Sequence, residues 1–400
     1  MPTTSDFLVI GGGIIGLNIA RALKKRFRDA TVTVLEKEET CGRHASGRNS
    51  GVLHAGFYYT RDSLKAKFTR VGNRQLSEYC ETKSIPVNRC GKLVVARDAR
   101  DHVHLDELLK RGRDNGIALQ ELTEGEAKRI EPRVKTHERA IFSPSTSSVN
   151  PRDVVEAMVG DAGREGVAIH CGVQYLTKRG ESVSTSSGIY QAGYIVNAGG
   201  LQADKIARQF GCSKRYRILP FKGLYLYSDE PAGSIRTNVY PVPDLRNPFL
   251  GVHFTVTADG RAKIGPTAIP TLWREQYRGT ERFSLSEFLE ILVRSLGLLA
   301  ASRFAFLKLA LSELHKYSRT RLVSLAATLL NGVNPDQYRT WAEAGIRAQL
   351  VDVTKKRLEM DFVVEEAERS IHVLNAVSPG FTCAIPFAEY VGDRIVASVA

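Results

Sequence analysis

The sequence predicts an α/β protein of two interleaved domains, and three observations carry that prediction. A short apolar run, Asp6-Phe7-Leu8-Val9-Ile10, breaks into Gly11-Gly12-Gly13, after which the apolar spacing turns helical. A second run, Thr31 to Leu35, stops at Glu36, which completes strand, helix and strand in about thirty residues, the size of one βαβ unit. At 400 residues the chain is also too long for one simple core.

The elements follow in order. Ile14, Ile15, Leu17, Ala20 and Leu23 carry the helix after the glycines. Residues 64–81 read as helix, 91–96 as strand and 103–115 as a polar surface helix. A helix at 154–165 leads into a strand at 167–171, and residues 194–198 form a buried strand ending at Gly199-Gly200. Strand-like runs with Pro and Gly breaks fill about 216–267, and 283–330 reads as a long helical stretch. The β pattern then resumes to the C-terminus, and no repeat or low-complexity tract interrupts the chain.

Hydrophobic residues make up 43% and charged residues 25%, an ordinary globular balance. The formal charge of +13 favours anionic partners, but the basic residues are scattered and no nucleic-acid module accompanies them, so nucleic acid is not an expected partner. Six cysteines without CxxC spacing read as reduced, mostly buried thiols of an intracellular protein. Only Met1 to Ser5 precede the first strand, so no leader is expected and a cytoplasmic location is.

Gly11, Gly13 and Gly16 form GxGxxG between a strand and a helix. The first glycine allows the tight turn, the second lets backbone approach a pyrophosphate, and the third lets the helix pack on the strand, while the helix N-terminus supplies positive potential. Glu36, twenty residues past Gly16 at a strand end, is placed to accept from ribose hydroxyls and disfavours a phosphorylated ribose. The strand that closes on Ala198, Gly199 and Gly200 brings a second backbone turn to the same nucleotide. Together the two point to a split, Rossmann-like FAD-binding domain with pieces from both ends of the chain.

The opening DFLVIGGGIIGLNIARAL with LEKE resembles the D-amino-acid-oxidase-type flavoproteins, which include sarcosine, glycine and glycerol-3-phosphate oxidising enzymes. Within that family HASGRNSGVLHAGFYY (44–59) resembles the L-2-hydroxyglutarate oxidase/dehydrogenase branch. VYPVPDLRNPFLGVHFT (239–255), AGIRAQLVD (344–352) and HVLNAVSPGFT (372–382) agree. The resemblance covers essentially the whole chain. Two stretches depart from it: Lys222-Gly223-Leu224-Tyr225 stands where the family usually has Arg-Gly-Glu-Tyr, and 378–389 differs from a SPGATSSLAIGE-like segment. Both are implied to lie near the isoalloxazine, so the departures bear on efficiency or exact substrate.

The resemblance implies an FAD-binding domain from 1–90, 145–215 and 340–400. It also implies a mainly antiparallel β-sheet substrate domain with helices from 91–144 and 216–339, with a helical cap at about 283–330. The expected FAD-binding residues are Gly11, Gly13, Ile15, Gly16, Glu36, Lys37, Ser46, Asn49, Ser50, Val173, Ala198, Gly199, Gly380, Phe381 and Thr382. Ser46, Gly47, Ser50 and Gly51 keep a loop close to a flavin, and Asn49 can hydrogen-bond its ribityl or pyrophosphate region. His54 reads as proton acceptor or carboxylate contact, as covalent flavin anchor, or as a structural histidine. His253, in an alternating strand at 250–257, reads as general base or as a satisfied sheet histidine.

A dicarboxylate substrate needs cations, for which the resemblance suggests Arg347 and Lys222; either can instead face solvent or a flavin phosphate. His102 and His104 form HxH on a polar helix, with no third metal ligand nearby in sequence. Arg294, Arg303, Lys308, Lys316, Arg319 and Arg321 interrupt every possible membrane span in 283–330, so these helices read as a cap or as a basic surface for anionic lipid on the inner face of the membrane. The expected reaction is oxidation of a small 2-hydroxy acid, L-2-hydroxyglutarate to 2-oxoglutarate, by hydride transfer to flavin, with quinone or oxygen as acceptor. A sarcosine-like or D-amino-acid oxidase, or a flavin-bearing binding protein without turnover, would share the FAD motifs.

Overall fold

The computed structural model describes residues 2–245, 250–301, 313 and 315–399. The chain forms two compact units, one of Met1–Asn49, Pro151–Pro220 and Arg347–Ala400, the other of Ser50–Asn150 and Phe221–Ile346.

The first unit is built on parallel strands. Thr3–Ile10 pairs with Val32–Leu35 on one side and Gly188–Asn197 on the other, and Val167–His170 and Ser370–Asn375 extend the parallel set. Antiparallel strands Tyr175–Arg179, Ser182–Thr185 and Val363–Ala367 complete the sheet. Parallel strands require crossovers, and the helix Ile14–Arg26 supplies the first of them. Its inward face, Leu17, Ile19 and Leu23, is wholly buried. Lys24, Lys25 and Arg26 oppose the negative end of its dipole. Arg26 also pairs with Asp393 of the C-terminal helix Ala384–Val399 at 2.5 Å.

The second unit carries an eight-stranded sheet. Its order is Thr340–Trp341, Leu226–Tyr227, Ala262–Gly265, His253–Val256, Asn238–Pro241, Lys92–Val95, Arg139–Ser143 and Gln120–Thr123. All its pairings are antiparallel except that of Asn238–Pro241 with Lys92–Val95. Leu93, Val239, Phe254, Ile264, Leu322 and Val323 meet in its core.

Three expectations are revised. Residues 50–90 belong to the second unit, because Val52–Leu53 pairs with Ser147 and Ser148, and Ala55, Phe57 and Tyr58 pack with Val94, Leu105 and Leu108. Residues 283–330 are not one helix. Leu285–Ala301 is helical, and Arg319–Ala326 starts afresh where Ser318 Oγ accepts the Arg321 N–H; Arg303 and Lys308 lie outside the described residues. The strand His253–Val256 is buried on both faces, so the expected one-sided alternation does not hold.

Candidate active site

The turn between Thr3–Ile10 and Ile14–Arg26 leaves little room for side chains. Gly11 holds φ +112°, and a Cβ there would lie 2.5 Å from the Ala198 carbonyl oxygen. At Gly16 a Cβ would collide with the carbonyl oxygen of Gly11, so helix and turn touch backbone to backbone. Gly13 differs: among the described residues a Cβ would meet only Ser46 Oγ, at 3.1 Å. Ser46 Oγ accepts the Ile14 N–H (2.9 Å) at a helix start whose first turn holds no acidic residue, and Ile15 follows half-buried.

Glu36 is 6% exposed, and its oxygens accept from the Gly12 N–H (2.8 Å) and the Glu38 N–H (2.9 Å). Those bonds fix the carboxylate at the strand end, and each oxygen has a second lone pair to offer a hydroxyl. A cradle that side chains would fill, a helix start free of negative charge and a fixed carboxylate together fit the pyrophosphate and ribose of a dinucleotide.

Other expected residues of this unit have structural duties that the sequence did not announce. The Val173 N–H donates to the Glu36 carbonyl (2.9 Å), holding that strand end. Lys37 pairs with Glu38 (3.3 Å), which also holds His44 (2.9 Å). Asn49 Nδ2 donates to the carbonyls of Ala45 (3.2 Å) and Ser46 (2.7 Å), closing its own loop. Ala198 donates to Ile10 (2.9 Å), and Gly199 to Asn197 Oδ1 (3.1 Å). Gly380 sits in a turn where a Cβ would strike the Ala376 carbonyl; Phe381 is half-buried and Thr382 buried just before the C-terminal helix. Arg347 is half-buried on the strand Gly345–Asp352.

Asn197 and His372 were missed. Both are fully buried. Asn197 Nδ2 donates to the Ala203 carbonyl (2.8 Å) and to His372 Nδ1 (3.1 Å), so His372 Nε2 carries the proton and faces Ser370 Oγ (3.1 Å). Burial pushes His372 down to about 4, which keeps it neutral and the turn at Gly199 fixed. Both lie inside motifs read for their glycines, where nothing in the pattern reveals a side-chain pair.

The second unit gathers buried positive charge among aromatic rings. Lys92 is fully buried and its Nζ has no hydrogen-bond partner among the described residues. Nζ lies 4.6, 4.5 and 4.9 Å from the ring centres of Phe57, Tyr58 and Tyr240, within cation–π range. Burial lowers its pKa to about 7. Sequence reading passed over Lys92 as a strand residue, because only the fold brings the three rings to it.

The Tyr240 ring stacks on His253, centres 3.6 Å apart and planes at 16°. His253 Nδ1 lies 2.8 Å from the Gly251 carbonyl oxygen, which can only accept, so Nδ1 carries the proton and Nε2 the lone pair. Burial, with the charges of Lys92, Lys263 and Lys316, holds His253 down to about 3. Lys263 lies 4.8 Å from the Tyr225 ring centre, its pKa lowered by burial to about 8. Lys222 is buried and shifted the same way, while its carbonyl accepts from Thr267 Oγ1 (2.9 Å). His54 is buried, its carbonyl bound by Asn73 Nδ2 (3.2 Å), and Ser50 Oγ accepts the Val52 N–H (3.3 Å). Ser50 and His54 thus stand on the second unit with Lys222 and His253, and the other expected residues stand on the first.

Comparison with known proteins adds three findings. The family described as FAD dependent oxidoreductase matches residues 6–394. L-2-hydroxyglutarate dehydrogenase of Escherichia coli (strain K12) is 35% identical over 397 residues, covering 98% of this chain and 93% of the relative. The mitochondrial enzyme of that name from Homo sapiens is 34% identical over 417 residues, covering 98% and 88%. Among solved structures, L-alpha-glycerophosphate oxidase from Mycoplasma pneumoniae with FAD bound superposes with a TM-score of 0.77 at 21% identity, covering 98% and 95%. Glycine oxidase from Geobacillus kaustophilus gives 0.73 at 21%, covering 99% and 95%. At such identity the structures speak for the fold alone.

Proposed function

The chain belongs to the FAD-dependent oxidoreductase family, and from that premise we propose that it oxidises L-2-hydroxyglutarate to 2-oxoglutarate. The observation that carries the substrate is the likeness, over nearly the whole length, to enzymes named L-2-hydroxyglutarate dehydrogenase. The burial of Lys92, Lys222 and Lys263 supports it, because a dicarboxylate needs positive charge where water is excluded.

The residues of the Gly11–Gly16 turn, Ser46 and Glu36 would hold the pyrophosphate and a ribose of FAD. When bound, FAD supplies the two-electron acceptor for the hydride that leaves the carbinol carbon. His253 Nε2, which carries the ring's lone pair, is the proposed acceptor of the hydroxyl proton. Lys222, near the buried charges of Lys92 and Lys263 on the second unit, is the proposed contact for a substrate carboxylate, and Arg347 is the candidate on the first.

Purified protein is expected to carry about one FAD per chain, and anaerobic L-2-hydroxyglutarate to bleach the oxidised flavin spectrum. Bleaching by sarcosine, glycine or a D-amino acid instead would overturn the substrate. No bleaching by any hydroxy or amino acid would leave a flavin-bearing binding protein.

The electron acceptor is proposed to be a quinone in an anionic membrane. No described helix is long and apolar enough to cross a bilayer. Leu285, Leu289 and Val293, spaced by four on one helix, are 61%, 50% and 68% exposed, and Phe283 beside them 52%. That stripe suits an interfacial helix, with exposed Arg278 before it and exposed Arg321 after it in sequence. The basic contribution is smaller than the sequence suggested: Arg282 pairs with Glu275, Arg294 with Glu290 and Lys316 with Glu313. The protein should sediment with anionic vesicles at low salt, and Leu289→Glu should abolish this without loss of flavin. Wild-type protein left in the supernatant would favour oxygen or a soluble carrier.

A further inference from the structure

We infer that His102, His137 and Glu138 form a divalent-cation site of zinc type, outside the residues assigned to flavin and substrate. His102 opens the helix His102–Asp114; His137 and Glu138 form the turn before the strand Arg139–Ser143. One ligand atom from each lies within 4.8 Å of the other two. His102 Nε2 and His137 Nδ1 are 3.3 Å apart. Zinc–nitrogen bonds of about 2.0–2.1 Å at tetrahedral angles put two ligand nitrogens roughly 3.3–3.4 Å from each other. The Glu138 carboxylate is the third ligand and supplies negative charge, and water completes the shell.

His102 Nε2 also lies 3.0 Å from the His137 carbonyl oxygen. That oxygen only accepts, so without a metal Nε2 holds a proton shared between the carbonyl and Nδ1. The ion takes that proton's place at Nε2, and the His102 ring keeps its proton on Nδ1. The turn is already built: the His137 N–H donates to Ala96 (2.8 Å), and the Glu138 carbonyl accepts from Glu124 (2.9 Å). The neighbouring cation, Arg139, is neutralised by Asp106 and Glu121, both at 2.6 Å. The HxH pair lacked a third ligand in sequence; the fold brings two to His102 from a distant turn, and His104 is not in the cluster.

The test is calorimetric titration of chelator-treated, FAD-loaded protein with zinc chloride, with metal content measured after dialysis. One zinc per chain is expected. His102→Ala and His137→Ala should each weaken binding by about tenfold or more. His104→Ala should bind as wild type, and all three variants should keep flavin content and turnover. Wild-type affinity no tighter than that of His102→Ala, or an equal loss in His104→Ala, would overturn the site.

Discussion

Gly13→Val is expected to give a folded, colourless protein. A Cβ at this position meets only Ser46 Oγ among the described residues, a side chain that can give by a few tenths of an ångström, so the polypeptide tolerates it. The extra methyl groups instead occupy the approach to the helix start, where a pyrophosphate must come close to backbone N–H groups. Flavin absorbance should fall to baseline and turnover with it, while circular dichroism keeps its wild-type shape. Gly16→Val is the contrast, because its Cβ strikes the Gly11 carbonyl and the helix must leave the strand, so that variant should lose soluble expression. A Gly13→Val protein that purifies yellow with full flavin content would reduce the motif to a turn.

The two glycines show how much of the molecule was legible in the sequence. GxGxxG with Glu36 reports backbone needs, and backbone needs leave marks: a missing Cβ, a strand that stops, a carboxylate at a fixed distance. The Asn197–His372 pair left none, because it joins two segments 175 residues apart through side chains alone. Lys92 is the clearest case. It lies in a strand read for its apolar neighbours, and its significance comes from Phe57, Tyr58 and Tyr240, which two other segments deliver. Residues 50–90 were placed in the wrong unit for a related reason, since the pairing of Val52–Leu53 with Ser147 and Ser148 is non-local. Periodicity reads the faces of elements; it does not read which element lies opposite.

His253→Gln is expected to keep FAD and lose about 10²–10⁴ in the rate of flavin reduction by L-2-hydroxyglutarate, the usual loss when a positioned base is removed. Its surroundings also make a stability prediction. His253 is held at about 3 against an ordinary 6.5, so between those values the unfolded chain binds the proton and the native chain does not. Stability is therefore level above about pH 6.5 and falls as pH drops toward 3, by up to about 1.4 kcal/mol per pH unit for this group. Lys92 works in another window. Its pKa is about 7 folded against 10.5 ordinarily, so its buried charge is fully penalised below about pH 7 and the penalty fades as pH rises toward 10.5. Lys92→Met, similar in volume and without charge, should then melt higher than wild type at about pH 6–7, by roughly 2–4 °C for each kcal/mol recovered, with the gap closing near pH 10. The same variant should raise the KM for L-2-hydroxyglutarate about tenfold or more, because a dianion loses a cation in a low-dielectric wall. If Lys92→Met gains stability and binds the dianion as wild type does, Lys92 contributes nothing to the site and its burial serves packing alone.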